Sequence, residues 1–319
     1  PSHPPHSRAE VFRWSVLDRV LGRRDRPPVG RPAPRVEPER GFLRDPAFDR
    51  AWWLGHASFL LQLAGRSVLI DPVLGGTLSL VVPRYLRPAL RPHELPPIDL
   101  LLISHGHRDH LDEWTIRRLP RATPVLAPSG LAVFFLELGF HNVREMAWWD
   151  SHTAAGGDLE VTLVPARHWT RRGLFDLNDS LWGGWVVRSA EGRTIYHAGD
   201  TAYFPGFRDI GERFPSLDLA LLPIGAYSPS WFMEHSHMNP EQAGQAFEEL
   251  GARSMVPMHW GTFRLTDEPL REPIERLRDW WRDRRPAGTL HDLAVGERVE
   301  FPRPAGRHTA ISGEEARLA

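Results

Sequence analysis

The strongest constraint on the fold is an almost uninterrupted apolar run at residues 98–104, followed at once by HisGlyHisArgAspHis at 105–110. An apolar run of this length predicts a strand that is buried on both faces, as in a sheet covered by helices. Ligand-type side chains directly after such a strand indicate a polar site at the edge of the sheet. The chain therefore needs a central sheet, covering layers and a site at the strand ends.

The spacing within this segment predicts metal binding. His105 and His107 are two positions apart in an extended segment, so their side chains point the same way and can share one ion. Gly106 allows a tight backbone between them. Asp109 and His110 can then turn toward a second position nearby. His and Asp side chains with a bound water are typical ligands of an open, catalytic Zn²⁺ site, or of an Fe or Mn site.

The same residue types recur after three later predicted strands, as His168, Asp200 and His259. Loops at one edge of a sheet can assemble a site from distant parts of a chain. Five His and two Asp are enough to hold two metal ions, with one carboxylate bridging them. This recurrence disfavours the alternative of a polar turn whose His residues only cap a helix.

Further strands are predicted from short apolar or alternating runs. They cover residues 52–63, 66–72, 123–128, 159–165, 182–188, 193–198, 217–223 and 254–258. Helices are predicted after Asp112, over about 129–139, from the N-cap Asn239 to the stop signal Gly251, and over about 270–285. Early hairpins followed by strand–helix alternation predict sheets covered by helices.

The chain is expected to form one compact domain over residues 41–302, since no internal stretch has the composition of a linker. Residues 1–40 are rich in Pro and Arg and predict an arm that packs on the body or is partly disordered. A short helix over Ala9–Leu21 is expected within it, and a membrane-touching role for that helix is the less favoured alternative. Residues 303–319 are expected to form a soft tail.

Composition excludes several classes of function. The chain of 319 residues has no Cys, and all 39 of its basic residues are Arg, which excludes thiolate sites, Cys nucleophiles and Schiff-base Lys chemistry. A net charge of -1 argues against a nucleic-acid partner. No apolar run approaches the ~18 residues that span a bilayer, and no signal-peptide pattern is present. The sequence-based expectation is a cytoplasmic protein, with peripheral membrane contact left open.

The motif set resembles the metallo-β-lactamase superfamily, and within it N-acyl-phosphatidylethanolamine-hydrolysing phospholipase D and its bacterial relatives. The likeness runs from about Trp52 to about Pro273. Its more specific motifs are LeuTrpGlyGlyTrp (181–185), AlaGlyAspThrAlaTyr (198–203), LeuProIleGlyAlaTyr (222–227), TrpPheMet (231–233) and HisTrpGlyThrPhe (259–263). The sugar-lactonase branch shares GlyHisAlaSerPhe (55–59) but is not expected to carry the others. The resemblance implies an αββα sandwich, an α/β fold of two mixed sheets flanked by helices.

The resemblance also implies how the ligands pair. One ion would be bound by His105, His107 and His168. The other would be bound by Asp109, His110 and His259. Asp200 would bridge them. The two divalent ions, with Zn²⁺ as the first expectation and Fe or Mn as alternatives, would generate a bridging hydroxide that attacks a phosphodiester.

Two catalytic roles are implied as well. Asp109 would orient the hydroxide, and His237 would contact the phosphate or protonate the leaving group, with a merely structural His237 as the alternative. The family pattern at this point is His-x-Asp-Pro, whereas this chain has Asn239, which can still cap a helix.

Two further residues near the predicted site, His56 and Asp71, each have two possible roles. His56 is either a group behind the metals or a satisfied core His, and Asp71 either orients a ligand His or forms a turn before Pro. His197 is expected in a strand and His235 at the surface. A substrate groove is expected to be lined by apolar side chains after one strand: Tyr227, Trp231, Phe232 and Met233.

The function expected from these features is a phosphodiesterase of phospholipase D type that acts on an amphiphilic diester. A hydrolase of the same fold for a lactone or a nucleotide is the first alternative. A metal-binding regulatory protein without turnover is the second, since one fold hosts many functions. The expected partner is a small-molecule or lipid substrate, and a homodimer is left open by analogy with relatives.

Overall fold

Buried apolar runs pair into two large sheets in a computed structural model that describes residues 7–22, 27–39, 41, 48–78, 82–154, 156–173 and 175–301. The first sheet contains β1 (Asp49–Gly55), β2 (Ser58–Leu63), β3 (Arg66–Ile70), β6 (Leu100–Leu102), β7 (Val125–Pro128), β8 (Val143–Met146) and β16 (Arg298–Phe301). Its strand order is β16-β1-β2-β3-β6-β7-β8. Strands β16 to β3 pair antiparallel, and β3 to β8 pair parallel.

The second sheet contains β9 (Ser151–Thr153), β10 (Leu159–Val164), β11 (Gly184–Ser189), β12 (Thr194–His197), β13 (Leu219–Pro223), β14 (Ser254–Met258) and β15 (Thr289–Leu290). Its order is β15-β14-β13-β12-β11-β10-β9, and it too is mixed. A small hairpin of β4 (Thr77–Leu78) and β5 (Val82–Pro83) lies outside both sheets. Buried residues from the two large sheets form one continuous apolar cluster.

Helices cover the sheets. They are α1 (Arg8–Phe12), which continues through a π-helical segment (Arg13–Leu17) into α2 (Asp18–Val20), then α3 (Glu113–Ile116), α4 (Ala132–Glu137), α5 (Gly206–Arg213), α6 (Ser230–Met233), α7 (Pro240–Leu250) and α8 (Glu272–Arg284), with a 3₁₀ turn at Pro92–Glu94. The predicted αββα sandwich is confirmed. No helix among the described residues is long and apolar enough to cross a bilayer.

The prediction for α7 is confirmed in detail because its signals are local. The side chain of Asn239 accepts a hydrogen bond from Gln242 N at 2.8 Å, and Gly251 ends the helix with a left-handed φ of 62°. The departure from the family pattern at Asn239 therefore leaves the helix start intact.

The prediction of one strand over 52–63 is wrong. Gly55 and His56 have φ angles of 111° and 54°, and they turn the chain so that β1 and β2 form a hairpin. Helices α5 and α6 were not predicted, and neither were the edge strands β8, β9, β15 and β16.

The described part of the N-terminal arm packs on the body. Ala33 N donates to Gly261 O at 3.0 Å, and Val36 N donates to Val295 O at 2.9 Å. The ring of Trp14, on the N-terminal helix, stacks on Phe232 with 4.7 Å between centroids. The predicted tail over 303–319 lies outside the described residues, and the domain boundaries stay a prediction.

Candidate metal centre

The candidate site lies where strand ends of both sheets meet. β1, β3 and β6 run in one direction in the first sheet, and β10, β12 and β14 share a direction in the second. The residues that follow these strands are His56, Asp71, His105, His168, Asp200 and His259. Hydrogen bonds join the sheets at this edge: His259 N donates to His56 O at 3.1 Å, and Gly183 N donates to Ser104 O at 3.0 Å.

A first cluster of ligand atoms is formed by three His and one Asp. His107 Nδ1 lies 2.9 Å from His105 Nε2 and 3.2 Å from His168 Nε2. Asp200 Oδ2 lies 3.9 Å from both His105 Nε2 and His168 Nε2. Ligands that surround a tetrahedral Zn²⁺ at ~2.0–2.1 Å are roughly 3.3 Å apart, so this spacing suits one ion.

A second cluster lies on the other side of Asp200. His110 Nε2 is 3.2 Å from Asp200 Oδ2 and 3.8 Å from Asp109 Oδ2. His259 Nε2 is 3.2 Å from Asp200 Oδ1 and 3.4 Å from Asp109 Oδ2. The structure thus brings together all seven predicted ligands, and Asp200 faces both clusters with its carboxylate.

Buried polar atoms without hydrogen-bond partners converge on this point. Among the described side chains they include His110 Nε2, His259 Nε2 and Asp200 Oδ1. An unpaired buried polar atom is costly, so such a group in a native structure calls for an ion or an unseen partner. The donor set fits divalent ions that accept nitrogen and oxygen ligands.

Asp71 orients one of the ligands. Its Oδ2 accepts a hydrogen bond from His110 Nδ1 at 2.7 Å, which leaves His110 Nε2 free to face the second cluster. Its Oδ1 accepts from Ser104 N at 2.7 Å, and the Ser104 hydroxyl lies 2.9 Å from His105 Nδ1. Of the two readings that the sequence left open for Asp71, the structure supports the ligand-orienting one.

Backbone groups orient a second ligand. His168 Nδ1 lies 2.9 Å from Ser236 O, so it donates to a carbonyl and its Nε2 is left for the first cluster.

His56, Asp71 and His259 all have left-handed φ angles, of 54°, 44° and 63°. Such a backbone is uncommon for residues other than Gly and concentrates at functional sites.

The protein groups set different protonation states in the two clusters. Burial, followed by repulsion from neighbouring His residues, holds the pKa values of His105 and His168 well below the usual range, and burial lowers that of His107 to about 4. In the second cluster burial also favours neutral rings, but Asp200 and Asp109 outweigh it. They raise the pKa of His259 to about 9 and that of His110 well above its usual value.

The two neighbouring His residues of the GluHisSerHis segment differ sharply. The side chain of His237 is 12% exposed, and its Nδ1 lies 4.0 Å from Asp200 Oδ2. That atom has no hydrogen-bond partner within the described structure. His235, by contrast, is 45% exposed, as the sequence predicted. His237 therefore belongs to the site by position.

Of two sequence expectations near the site, the one for the substrate groove changes and the one for His197 holds. Tyr227 and Met233 are buried, and the hydroxyl of Tyr227 donates to Glu272 Oε1 at 2.6 Å, so they do not line an open groove. His197 lies in β12, as predicted, and its Nε2 donates to Ala57 O at 2.9 Å.

His56 is a further site residue for which the sequence left two readings open. It is buried, and its Nε2 lies 3.1 Å from Asp109 Oδ2. Together with Asp109, His110 and His259 it forms a group whose ligand atoms all lie within 4.8 Å of one another. The Gly-His pair inside an otherwise apolar run was the available signal.

A family model described as a beta-lactamase superfamily domain matches residues 66–260. The chain belongs to the metallo-β-lactamase superfamily. The N-acyl-phosphatidylethanolamine-hydrolyzing phospholipase D 1 of Caenorhabditis elegans is 36% identical over 245 residues, which cover 72% of this chain and 68% of that protein. A metal-dependent hydrolase of Pyrobaculum calidifontis is 35% identical over 214 residues, 67% of this chain and 84% of its own length.

Solved structures agree with this assignment. A metallo hydrolase from the archaeon Ignicoccus hospitalis superposes with a TM-score of 0.61 at 25% identity, and the match covers 80% of this chain and 99% of the other. The chain is thus a member of a family of metal-dependent hydrolases, with His and Asp side chains positioned to bind metal.

Proposed function

We propose that the protein is a dinuclear metal-dependent phosphodiesterase of phospholipase D type, acting on N-acyl-phosphatidylethanolamine-like or other amphiphilic diesters. The observation that carries the proposal is the pair of ligand clusters that share the carboxylate of Asp200. The similarity to N-acyl-phosphatidylethanolamine-hydrolyzing phospholipase D supports the choice of substrate class.

In this proposal each cluster holds one divalent ion, Zn²⁺ first and Fe or Mn as alternatives. The first is held by His105, His107 and His168, and the second by Asp109, His110 and His259. Asp200 lies between them. Two bound ions would lower the pKa of a water molecule, polarise a phosphoryl oxygen and neutralise charge on the leaving oxygen.

The chain's own residues then position the reactants. Asp109 orients the attacking water by accepting its proton in a hydrogen bond at a carboxylate oxygen. Burial lowers the pKa of His237 to about 4, so its ring is neutral and carries a single N–H. A neutral ring beside Asp200 is suited to donate a hydrogen bond to a phosphoryl oxygen. Contact with the phosphate is therefore the role we assign to His237, in preference to proton donation.

Apolar side chains next to the site favour an amphiphilic substrate. Helix α6 lies four residues before His237 and carries Trp231, which is exposed. The N-terminal helix packs on α6 through Trp14 and Phe232. Further exposed apolar side chains on that helix are Val11, Phe12, Val16, Leu17 and Val20. We propose that this surface makes peripheral contact with a membrane that holds the substrate.

The proposal is tested by loading the protein with Zn²⁺ and assaying three substrates side by side. They are a chromogenic phosphodiester, a lactone and N-acyl-phosphatidylethanolamine in mixed micelles. The expected result is cleavage on the head-group side of the lipid phosphate, which releases the N-acylethanolamine and phosphatidic acid, with loss of activity in Asp200→Asn. Turnover of the lactone alone would refute the proposal, and metal binding without any turnover would favour a regulatory protein.

A further inference from the structure

The turn between β1 and β2 brings His56 against the second ligand cluster, although no role for it follows from the family's ligand pattern. Its Nε2 lies 3.1 Å from Asp109 Oδ2, closer than His259 Nε2 at 3.4 Å or His110 Nε2 at 3.8 Å. We propose that His56 is a positioning residue, whose Nε2–H holds the carboxylate of Asp109 in the orientation that binds the second ion. This inference rests on the dinuclear site proposed above.

The turn itself fixes the imidazole in place. His56 N donates to Thr262 Oγ1 at 3.0 Å, and His56 O accepts from both His259 N at 3.1 Å and Trp53 Nε1 at 2.8 Å. These contacts hold a left-handed backbone that a residue with a Cβ rarely adopts. Because Thr262 and His259 lie in one loop, the ring is placed relative to a ligand of the second cluster.

The contacts of the His56 ring also support a hydrogen bond to Asp109. Phe263 packs edge-on against it, with 5.2 Å between centroids, and the ring of His259 lies 4.0 Å away. Its Nδ1 is buried without a hydrogen-bond partner in the described structure. The hydrogen bond of the ring is therefore directed at Asp109 and not at the backbone.

His197 shows what a structural His looks like in the same region. Its Nε2 donates to Ala57 O at 2.9 Å, and its Nδ1 accepts from Gly199 N at 3.1 Å, so both nitrogens bond to backbone. His197 thus supports the residue next to His56 without touching either cluster through a hydrogen bond. It provides a matched control for damage to the turn.

The test compares His56→Ala and His56→Gln with the parent protein and with His197→Gln. Metal content and affinity are measured by mass spectrometry and chelator competition with Zn²⁺, and the visible spectrum of the Co²⁺-loaded protein reports on the geometry of the second ion. Thermal unfolding measures any loss of stability.

We expect His56→Ala to keep the first ion at parental affinity and to bind the second about 10–100-fold more weakly, the usual effect of removing a group that orients a ligand. His56→Gln, whose amide N–H can reach the carboxylate, should recover most of that loss. His197→Gln should lower the thermal midpoint and keep both ions.

Three results from the variants would overturn the inference. Parental affinity for the second ion in His56→Ala would show that Asp109 needs no support. If His56→Ala and His56→Gln lose affinity for the second ion equally, and the Co²⁺ spectrum is altered, His56 would be a ligand. If His197→Gln loses as much affinity for the second ion as His56→Ala, the effect would be due to damage to the turn. A parent that binds two ions but lacks phosphodiesterase activity would refute the proposed reaction and leave this inference standing, whereas a parent that binds one ion would overturn both.

Discussion

Replacing Asp71 by Asn should weaken binding of the second ion while leaving the shape of the core almost unchanged. In the structure Asp71 Oδ2 accepts from His110 Nδ1 at 2.7 Å, so the Nδ1 proton is held and Nε2 is the nitrogen that gives up its proton to bind a metal. An Asn amide that turns its oxygen to Ser104 N, as Oδ1 does now, presents N–H to His110 Nδ1. His110 must then carry its proton on Nε2, where it blocks the metal.

The expected loss is about 10–100-fold in affinity for the second ion, or about 1.4–2.7 kcal/mol. Stability of the metal-free protein should fall by no more than roughly 1.5–3 kcal/mol, the contribution of hydrogen bonds to a charged group. Chelator competition followed by mass spectrometry measures the first quantity, and denaturant unfolding in the presence of a chelator measures the second.

Asp218→Asn is a matched control because Asp218 is also buried and also caps a backbone amide, Thr194 N, at 2.9 Å. It should cost stability without changing metal affinity. The reasoning fails if Asp71→Asn binds the second ion as tightly as the parent, since the tautomer of His110 would then not depend on Asp71.

Four further predictions test the site and its surroundings. The pKa of His259 is raised to about 9 and that of His110 is also raised, so the second ion must displace protons below pH 9 and its affinity should rise steeply with pH from 6 to 9. The first ion, held by His residues with lowered pKa values, should bind almost independently of pH in that range. Isothermal titration in buffers of different ionisation enthalpy counts the released protons, and equal release at both sites would contradict the assignment. Charged rings with raised pKa values also stabilise the metal-free protein, and this contribution is fully present below the unfolded His pKa of about 6.5. The free energy of unfolding should therefore decrease as the pH rises from there toward 9. A flat profile would argue against charged rings in this cluster. His237→Gln should lower kcat/KM by roughly 10–100-fold, with both ions retained, while the exposed neighbour variant His235→Gln should match the parent; equal kinetics in the two variants would remove His237 from the substrate site. Phe12→Ser combined with Leu17→Ser should weaken sedimentation with vesicles that contain anionic lipid, without reducing turnover of a water-soluble diester, and unchanged sedimentation would count against the proposed membrane contact.

Local signals account for the parts of the fold that were predicted. The strand before His105 is apolar throughout, and α7 has a cap, a Pro and a stopping Gly within its own sequence. The edge strand β8 was missed because its two central residues, Arg144 and Glu145, are exposed and charged, so it has no continuous apolar pattern. Helix α5 was missed because only Phe207 and Ile210 of its 8 residues are buried, which is too short an apolar pattern to predict a helix.

The candidate site likewise has one part that local sequence predicts and another that depends on contacts between remote residues. Ligand-type residues after strands could be found from spacing alone, since parallel strand ends meet at one edge of a sheet. The break at Gly55 and His56 could not, because it depends on Thr262 and His259, which are remote in sequence. The role of Asp71 likewise depends on its distance to His110, which no one-dimensional pattern contains.

The order of the first sheet has a consequence for synthesis of the chain. β1 pairs with β2 on one side and with β16 on the other, so its outer edge is covered by residues 298–301. While a ribosome makes everything in between, β1 is a hydrophobic strand with an unpaired row of backbone groups, which is the kind of edge that recruits other chains. A fragment that stops before β16 should therefore self-associate even though all seven ligands are present, and the end that carries His56 should be the last part of the centre to become rigid.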